Sequence, residues 1–516
     1  MLQKTVYAAA TILLLAAGTP AMQAQSPVAR PSAYDTAIKK NYVRTWDAVK
    51  PMTDASAITS ALFKDAKQAT QYFDGLGRPL QTVVKKGSLA TDPGNPSSSA
   101  NAVDMVNAVV YDELGREQYK YLPFAANNTG GNTSISDGLF KFNPFQQQLS
   151  FADAQYPGDT FFYSKTNFEA SPLNRVLETY APGDSWAGSE ANLDAGTRRN
   201  VAVQYLVNET SDSVRIWRIS GGSFSTPAMY GAGQLYKTVT IDEHKNKVVE
   251  YKDKSDKVIL KKVQLSASAS TGHSGWLCTY YIYDEFDLLR GVLQPQAVKE
   301  LLTNSWSVTT DILNELTFRY EYDYRNRMIV KKVPGAGEVW MVYDKWDRVV
   351  LTQDANLRAN NKWLFTKYDQ FNRTIMTGFY VNSTYITQSG MQGYLDAQNL
   401  ARYESYQTAI FPLYSLTESF PSVSFSDLLT ITYYDDYSWT GWYTTSSSKD
   451  NTWDSEFATA SNSTWPYPQA LTQGSQTTGM VTGVWDNTSG GMLTTTYYDD
   501  RGRVIQARAA NYTNGT

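Results

Sequence analysis

Residue types that support nucleophilic or metal chemistry are scarce in this sequence of 516 residues. It has two histidines, His244 and His273, and one cysteine, Cys278. A Ser/His/Asp hydrolase needs a histidine as its base, and His273 adjoins Ser274. However, sequence neighbours rarely act as nucleophile and base, and no G-x-S-x-G elbow is present. We therefore predict that the protein is not an enzyme, and a hydrolase that depends on His273 is kept as an alternative.

Metal and cofactor sites are also poorly supported. Two histidines and one cysteine are too few for a zinc site of ordinary composition, and no phosphate-binding glycine loop is present. Asp-rich turns offer oxygen ligands for calcium, and the candidates are Asp435-Asp436 and Asp499-Asp500. Solvated turn carboxylates explain these pairs better than calcium ligands do, and among 50 acidic residues nothing selects a glycosidase pair. We assign no catalytic, metal or cofactor-binding residue.

Cys278 lies in an apolar, strand-like stretch that continues to Tyr283. We interpret it as a small buried hydrophobe, with a reactive thiol as the alternative. An exported chain with one cysteine has no internal disulfide, so the core and the sheet must supply its stability.

Aromatic residues are abundant, with 36 Tyr and 13 Trp. Exposed aromatic rings stack on sugars, whereas buried rings fill a core. The segment 440–480 and its flank are rich in Ser, Thr, Trp and Tyr. The tryptophans proposed there as glycan contacts are Trp439, Trp442, Trp453 and Trp465.

A short pattern recurs along the chain: an aromatic residue, Asp, two variable residues, then Gly, Asn or Asp, and then Arg. We predict that these four fixed positions are a structural repeat motif. Its members are Phe73, Asp74, Gly77 and Arg78; Tyr111, Asp112, Gly115 and Arg116; Tyr322, Asp323, Asn326 and Arg327; Tyr343, Asp344, Asp347 and Arg348; Tyr368, Asp369, Asn372 and Arg373; and Tyr498, Asp499, Gly502 and Arg503. Weaker copies begin near Asp242, Tyr251, Tyr283 and Tyr434.

The motif has a mechanical explanation. Asp accepts backbone hydrogen bonds in a tight turn, and Gly, Asn and Asp best tolerate a left-handed conformation. A type I turn followed by one left-handed residue closes a three-residue hairpin loop with a bulge. The segments on either side of the motif are rich in β-branched and aromatic residues, which favour strands. Each copy therefore predicts a β-hairpin with the motif at its tip.

Repeated hairpins imply an architecture, because a single hairpin is only marginally stable and neighbours must stack edge to edge. We predict a mainly all-β fold in which the hairpins form a long winding sheet or shell, with a few short helical inserts. The helices are expected at Pro295 to Thr303 and Met391 to Tyr406.

The motif resembles that of the YD-repeat (RHS-repeat) family, and the chain resembles the N-terminal portion of large secreted or surface RHS proteins of Bacteroidota. The stretches that carry this resemblance are QYFDGLGRPLQ at 71–81, FEASPLNRVL at 168–177, FRYEYDYRNRMIVKKVP at 318–334, KWLFTKY at 362–368 and YYDDRGRVIQ at 497–506. The resemblance implies a β-shell that encloses or presents a C-terminal toxin or effector. The partners it implies are the rest of the polypeptide and that toxin domain. Cell-surface glycans are the partner under the alternative function, a carbohydrate-binding or cell-adhesion module.

Composition and pattern predict the following organisation: a signal peptide at 1–24, a linker or transitional segment at 25–66, an N-terminal RHS-associated β domain at 67–230, a YD-repeat hairpin array at 231–380, an insert with a helix at 381–430, and further, apparently truncated, YD-repeat hairpins at 431–516.

The N-terminal segment 1–24 indicates where the protein is expected to be located. Lys4 precedes an apolar run from Val6 to Ala17 that is too short to cross a bilayer, which favours a cleaved signal peptide. We therefore expect an extracellular or cell-surface protein. A net charge of −4 does not suit nucleic-acid binding, and no later stretch predicts a transmembrane segment.

Overall fold

The computed structural model describes residues 29–49, 52, 54–63, 65–88, 101–443, 445–456, 471–488 and 490–511. The predicted signal peptide at 1–24 and Trp465 lie outside these ranges. The prediction of a mainly β fold with few helices is confirmed.

The described residues form 26 strands and six α-helices, together with short 3₁₀ turns. The strands are β1 Asn41–Ala48, β2 Ala66–Phe73, β3 Pro79–Val84, β4 Met105–Ala108, β5 Tyr119–Tyr121, β6 Phe124–Ala125, β7 Tyr163–Phe168, β8 Val176–Tyr180, β9 Val201–Val207, β10 Arg215–Ser220, β11 Ser223–Met229, β12 Tyr236–Ile241, β13 Lys247–Lys252, β14 Val258–Gln264, β15 Trp276–Tyr283, β16 Leu289–Leu293, β17 Thr317–Tyr322, β18 Met328–Lys332, β19 Glu338–Tyr343, β20 Val349–Gln353, β21 Lys362–Tyr368, β22 Thr374–Val381, β23 Leu428–Tyr434, β24 Val481–Asp486, β25 Met492–Tyr498 and β26 Val504–Asn511. The helices are α1 Ala55–Ser60, α2 Pro144–Gln155, α3 Pro295–Thr303, α4 Thr310–Glu315, α5 Ala355–Arg358 and α6 Gln388–Asp396.

The chain divides into two compact units, of which the first contains residues 1–94, 98–204 and 240–246. In this unit, β1, β2, β3, β4 and β6 form an antiparallel sheet in that order. A second series pairs β5 with β7, β7 with β8, and β8 with β9. Aromatic side chains such as Tyr72, Phe124 and Phe140 pack in the core of the first sheet.

The second unit contains residues 95–97, 205–239 and 247–516. From β13 to β26 each strand pairs antiparallel with the next, and β10 pairs with β11. Because direction alternates along such a series, the turns that follow β13, β15, β17, β19, β21, β23 and β25 all lie on one edge of the sheet. Every one of these seven turns carries the motif or a weaker copy of it.

The hairpin geometry agrees with the expected three-residue loop. A β-bulge lies next to the motif in each of these hairpins, for example between Val342 and Tyr343 and between Lys367 and Tyr368. The fourth turn residue has a positive φ, which is 63° at Asp347 and 64° at Asn372. The bulge and the left-handed residue together confirm the prediction made from the residue types.

Alternation along the strands sets the core of the second unit. In β21, Trp363, Phe365 and Lys367 point to the buried face, and the two aromatic rings are fully buried. They pack in a cluster with residues of the neighbouring strands, including Val342, Leu351, Ile375, Ile431, Trp485 and Leu493. The period of two therefore places alternate side chains in the core, as expected for a half-buried sheet.

The helix predictions have different outcomes. α3 spans Pro295–Thr303 with Pro at its first turn, as predicted, and it buries Ala297, Val298 and Leu301. The prediction for 391–406 is wrong in its bounds, because α6 begins at Gln388, where the Thr387 side chain caps it, and ends at Asp396.

A second correction concerns the motif copy at Tyr111, which, like every copy, is expected at the tip of a hairpin, here from Met105 to Tyr121. The motif turn at Tyr111 is present, but β4 pairs with β3 and β6, whereas β5 pairs with β7. The two segments that flank the turn therefore separate into different sheets. Local residue types specify the turn, but they do not specify the strand partners.

Candidate functional site

The turn at Asp344 shows how the motif works locally. The Asp344 Oδ1 atom accepts hydrogen bonds from the backbone N–H groups of Trp346 and Arg348, both at 2.9 Å. Its Oδ2 atom accepts from the Arg348 Nε at 2.7 Å. The backbone closes the loop, because the Asp344 N–H donates to the Arg348 carbonyl at 3.0 Å. One carboxylate thus satisfies three donors and fixes the arginine side chain.

The same three side-chain hydrogen bonds form in the other close copies of the motif. Their acceptors are Asp74, Asp112, Asp323, Asp369 and Asp499. Burial by itself raises the pKa of Asp323, but the hydrogen bonds from Arg327 and Arg325, together with the Arg327 charge, hold the pKa below its usual value. The motif carboxylate is therefore a structural anion with its donors already in place.

The motif tyrosine joins one hairpin to the preceding one. Its hydroxyl donates to the carbonyl of the residue that follows the last motif position of the earlier turn. In the second unit these bonds run from Tyr322 to Leu289 at 3.0 Å, Tyr343 to Met328 at 2.7 Å, Tyr368 to Val349 at 2.7 Å, Tyr434 to Thr374 at 2.9 Å and Tyr498 to Val481 at 2.6 Å. In the first unit Tyr111 makes the same bond to Pro79 at 3.0 Å. This repeated bond fixes the register between neighbouring turns.

The motif arginine makes the reciprocal contact with the following hairpin. The Arg327 guanidinium stacks on the Tyr343 ring at 4.7 Å, and its Nη1 donates to Asp347 Oδ1 at 2.9 Å. Arg348 repeats both contacts, on Tyr368 at 4.5 Å and on Asn372 at 3.0 Å. A planar guanidinium suits this double role, since it donates in its plane and stacks on its face.

The same contacts are found between other pairs of successive turns, and we call each such pair a step. Arg373 stacks on Tyr434 at 4.3 Å and donates twice to the Asp435 carboxylate, with both bonds at 2.8 Å. In the first unit, Arg116 stacks on Phe168 at 4.8 Å and donates to Asn174 at 3.1 Å. We call the seven motif turns on one edge of the second unit, at Asp253, Asp284, Asp323, Asp344, Asp369, Asp435 and Asp499, the turn ladder.

Three positions of the turn ladder depart from arginine. Lys257 takes its place at the first turn and donates to Asp287 at 2.7 Å. Leu288 takes it at the second turn. After Asp435 the chain leaves the turn and returns at Met480, whose carbonyl accepts from the Asp435 N–H at 3.0 Å. The ladder therefore has two steps without a basic side chain, at Leu288 and Met480.

The tryptophans proposed as glycan contacts have different environments. Trp439 is 1% exposed, stacks on Tyr433 at 4.8 Å and donates its indole N–H to Thr482. Its proposal as a surface glycan contact is therefore wrong, because its ring is in the core. Trp442 and Trp453 are 45% and 68% exposed.

His273 does not have the environment of a general base. Its Nε2 atom lies 2.8 Å from the Tyr280 hydroxyl in a buried aromatic cluster with Trp306. Burial, reinforced by the Lys262 and Arg215 charges, lowers the pKa of His273 to about 3. The imidazole is thus neutral at physiological pH, and its role here is packing. Cys278 is buried as predicted, and burial raises the pKa of its thiol to about 11.

One carboxylate of each calcium candidate pair has an arginine partner. Asp435 is paired with Arg373, and Asp499 is paired with Arg503. Across the described ranges, no three His, Cys, Asp or Glu side chains are grouped so that they can share a metal ion. In the same ranges, none of the helices has the length and apolar character to cross a membrane.

Sequence reasoning missed two buried ion pairs. Lys367 and Glu404 are both fully buried as a pair, and Glu404 also accepts from Ser415 and Ser419. Lys141 and Asp104 form a second fully buried pair at 2.7 Å. A signal for the first pair was available, because Lys367 follows Trp363 and Phe365 at a spacing of two on the inward face.

Comparisons with known proteins add the following. Residues 44–199 match a family model described as Domain of unknown function (DUF6443), which covers β2 to β8. A comparison with curated proteins found no match.

Among solved structures, the chain is similar to the crystal structure of TcdB2-TccC3, with 13% identity, a TM-score of 0.37, and coverage of 86% of this chain and 19% of that chain. It is likewise similar to the Photorhabdus luminescens Tc holotoxin pore, with 13% identity, a TM-score of 0.37, and coverage of 87% of this chain and 18% of that chain. The chain thus spans about a fifth of the length of the structures it matches.

Proposed function

We propose that this chain is a non-catalytic structural YD/RHS-repeat segment of a secreted or cell-surface protein. In this proposal its hairpins form part of a β-shell that encloses or presents a C-terminal toxin or effector domain. The turn ladder is the observation that supports the structural role. There the motif Asp, Tyr and Arg side chains are used for contacts within or between hairpins. Residues engaged in this way hold neighbouring repeats together, as the stacking of repeat units requires.

The charge pattern also supports a structural role. At turns that have the motif arginine, its guanidinium lies beside carboxylates, for example Arg327 beside Asp323 and Asp347. Such pairing stabilises a sheet edge, whereas a catalytic carboxylate needs access to a substrate. His273, the one histidine considered as a base, is buried.

The location and the cargo can be tested on the native protein in its source cells. An antibody against the segment 101–443 should detect it in the culture medium, or on intact cells in a form that added protease removes. Mass spectrometry of the captured polypeptide should find peptides of a further C-terminal domain. Detection only inside the cell would overturn the export proposal. Capture of a polypeptide without further peptides would overturn the cargo proposal.

A second candidate function, a carbohydrate-binding or adhesion module, is favoured by one observation. Trp442 and Trp453 both expose their rings, and Trp442 lies beside Phe411 at 6.4 Å. Oligosaccharide binding would change the tryptophan fluorescence in the native protein and not in the Trp442→Ala, Trp453→Ala double variant. Trp346, which is 44% exposed but belongs to the turn ladder, is the matched control, and Trp346→Ala should retain the response. A broad glycan panel without any fluorescence change would refute this candidate.

A further inference from the structure

The step of the turn ladder at Leu288 lacks its guanidinium but keeps the surroundings of one. Tyr322 donates its hydroxyl to the Leu289 carbonyl at 3.0 Å, as Tyr343 does to Met328 at the next step. The turn at Asp284 has the same backbone closure as the others, with 3.0 Å from its N–H to the Leu288 carbonyl. The two hairpins are therefore held in the register that places an arginine between them elsewhere.

The acceptor and the stacking surface for that arginine are both present. Asn326 has a φ of 60°, like the turn residues Asp347 and Asn372, which accept from Arg327 and Arg348. Within the described residues, the Asn326 carboxamide has no hydrogen-bond partner, and no cation covers the Tyr322 ring. The acceptor and the ring that receive an arginine at other steps are thus both free.

The step at Met480 is a useful contrast. There the next turn carries Gly502, which has no side-chain acceptor. The Met480 methyl group lies against Gly502, since a Cβ added at Gly502 would be 2.6 Å from it. At this step the guanidinium and its acceptor are replaced together and the space is filled. At Leu288 the guanidinium alone is absent.

A cleft of about 900 Å³ lies beside Leu288 on the edge of the second unit. Its lining includes Tyr283, Phe286, Tyr322, Tyr324 and Asn326, and the rings of Phe286 and Tyr324 are 69% and 92% exposed. Beside Arg348, where the guanidinium is present, the cleft measures about 30 Å³. Beside Arg373, which also has its guanidinium, the cleft measures about 420 Å³, so the cleft beside Leu288 is the largest of these three.

The cleft lining contains two arginines, Arg218 and Arg290, and the carboxylates of Asp284, Glu285 and Asp323. Arg290 donates to Asp284 Oδ2 at 3.2 Å, but its Nε is used by the Tyr320 carbonyl at 3.0 Å. Asp323 is paired with Arg327, and Glu285 is exposed at the cleft wall. A cation that enters would lie near Glu285 and between exposed aromatic rings, which is the environment that guanidinium groups prefer.

We propose that the cleft beside Leu288 binds the guanidinium group of an arginine side chain from a partner polypeptide, in the place that the chain's own arginines occupy at the other steps. The incoming group stacks on the Tyr322 ring and donates to Asn326 Oδ1, while its methylene groups lie against Leu288 and Phe286. The turn ladder of this molecule serves as the template for that geometry. The site does not depend on whether the protein encloses a toxin.

The test uses the intact chain and N-acetyl-arginine amide as the probe, followed by ligand-observed saturation-transfer NMR and calorimetry. We expect saturable binding that N-acetyl-lysine amide and N-acetyl-citrulline amide do not reproduce, because the first lacks the planar fork and the second lacks the charge. Leu288→Arg supplies the guanidinium in cis and should weaken probe binding by about tenfold or more. Leu114→Arg adds the same charge at an exposed leucine of another turn and should leave binding unchanged.

A second variant distinguishes loss of the site from loss of the fold. Asn326→Gly removes the acceptor and tolerates the positive φ, so it should weaken probe binding while the circular dichroism spectrum stays that of the native protein. Absence of saturable binding to the native chain, or undiminished binding in Leu288→Arg, would overturn the proposal. Equal binding of the lysine and arginine probes would also overturn it, since the site would then recognise charge alone.

Discussion

The turn ladder predicts that arginines at the same motif position contribute different amounts to the free energy of unfolding. Arg327 and Arg503 both donate Nε to their own motif Asp, at 2.7 and 2.6 Å. Arg327 also contacts the next hairpin and is 13% exposed, whereas the Arg503 side chain is 60% exposed. Replacing either arginine by Leu removes its bond to the motif Asp, and Arg327→Leu also removes the contacts with the next hairpin.

The magnitude follows from the contacts. The bond from Arg327 to the half-buried Asp323 contributes about 1.5 kcal/mol, at the lower end for a hydrogen bond to a charged group. Stacking on Tyr343 contributes about 1 kcal/mol, and the pair with the exposed Asp347 about 0.5 kcal/mol. We therefore expect Arg327→Leu to lower the free energy of unfolding by about 3 kcal/mol. Arg503→Leu should cost about 0.5 kcal/mol, because solvent screens its pair.

The assay is urea unfolding followed by tryptophan fluorescence, with hydrogen exchange as a local readout, since a chain of 516 residues does not have to unfold in one step. In Arg327→Leu the turn amides of Asp344 and Asp347 should exchange faster. A double-mutant cycle with Asp347→Gly, which keeps the left-handed φ, should give a coupling of about 0.5 kcal/mol. If Arg327→Leu and Arg503→Leu cost the same within about 0.5 kcal/mol, the inter-hairpin role of the arginine is refuted.

Three further predictions follow from single sites. Gly115→Val should destabilise the fold by about 1–2 kcal/mol because the φ of Gly115 is +77°, while Gly75→Val, in open space without a positive φ, should have little effect on the urea midpoint. Because His273 has a pKa lowered from 6.5 to about 3 by burial, the unfolded state takes up a proton there as the pH falls through this range and the folded state does not. The native protein should therefore lose stability towards acid more steeply than His273→Gln, by up to about 1.4 kcal/mol per pH unit, and parallel urea midpoints between pH 7 and 4 would contradict this. Cys278 is buried with a raised thiol pKa, so iodoacetamide should alkylate it slowly in the native protein and rapidly in urea, and rapid native alkylation would argue against its burial.

The turns were predictable because their chemistry is local. The Asp, the left-handed residue and the arginine lie within six residues, and their types determine the hydrogen bonds and the bulge without reference to the rest of the chain. Weak copies behave in the same way, since Asp253 accepts from the Ser255 and Lys257 N–H groups at 2.8 and 3.0 Å. The mainly β fold follows from this local geometry repeated many times.

The contacts between turns were not predictable in the same way. Whether Arg348 reaches Tyr368 and Asn372 depends on the register of strands from different hairpins, which the motif does not encode. The turn at Asp435 shows the difficulty well. Its last motif position is Met480, because the chain leaves after Asp435 and returns more than forty residues later. In sequence the motif therefore looks degenerate, although in space the turn occupies its regular place in the ladder.

The prediction that Trp439 is exposed was wrong for a physical reason that is visible in the sequence. The segment around Trp439 is polar, and polarity suggested an exposed ring. In the structure the indole lies over Gly483 of β24, where an added Cβ would be 2.1 Å from the Trp439 Cζ2 atom. A glycine inside a strand marks a place where another group approaches closely, so Gly483 was the signal for a buried partner. Among the described residues of this segment, the exposed tryptophans are Trp442 and Trp453, and their rings are accessible to a ligand.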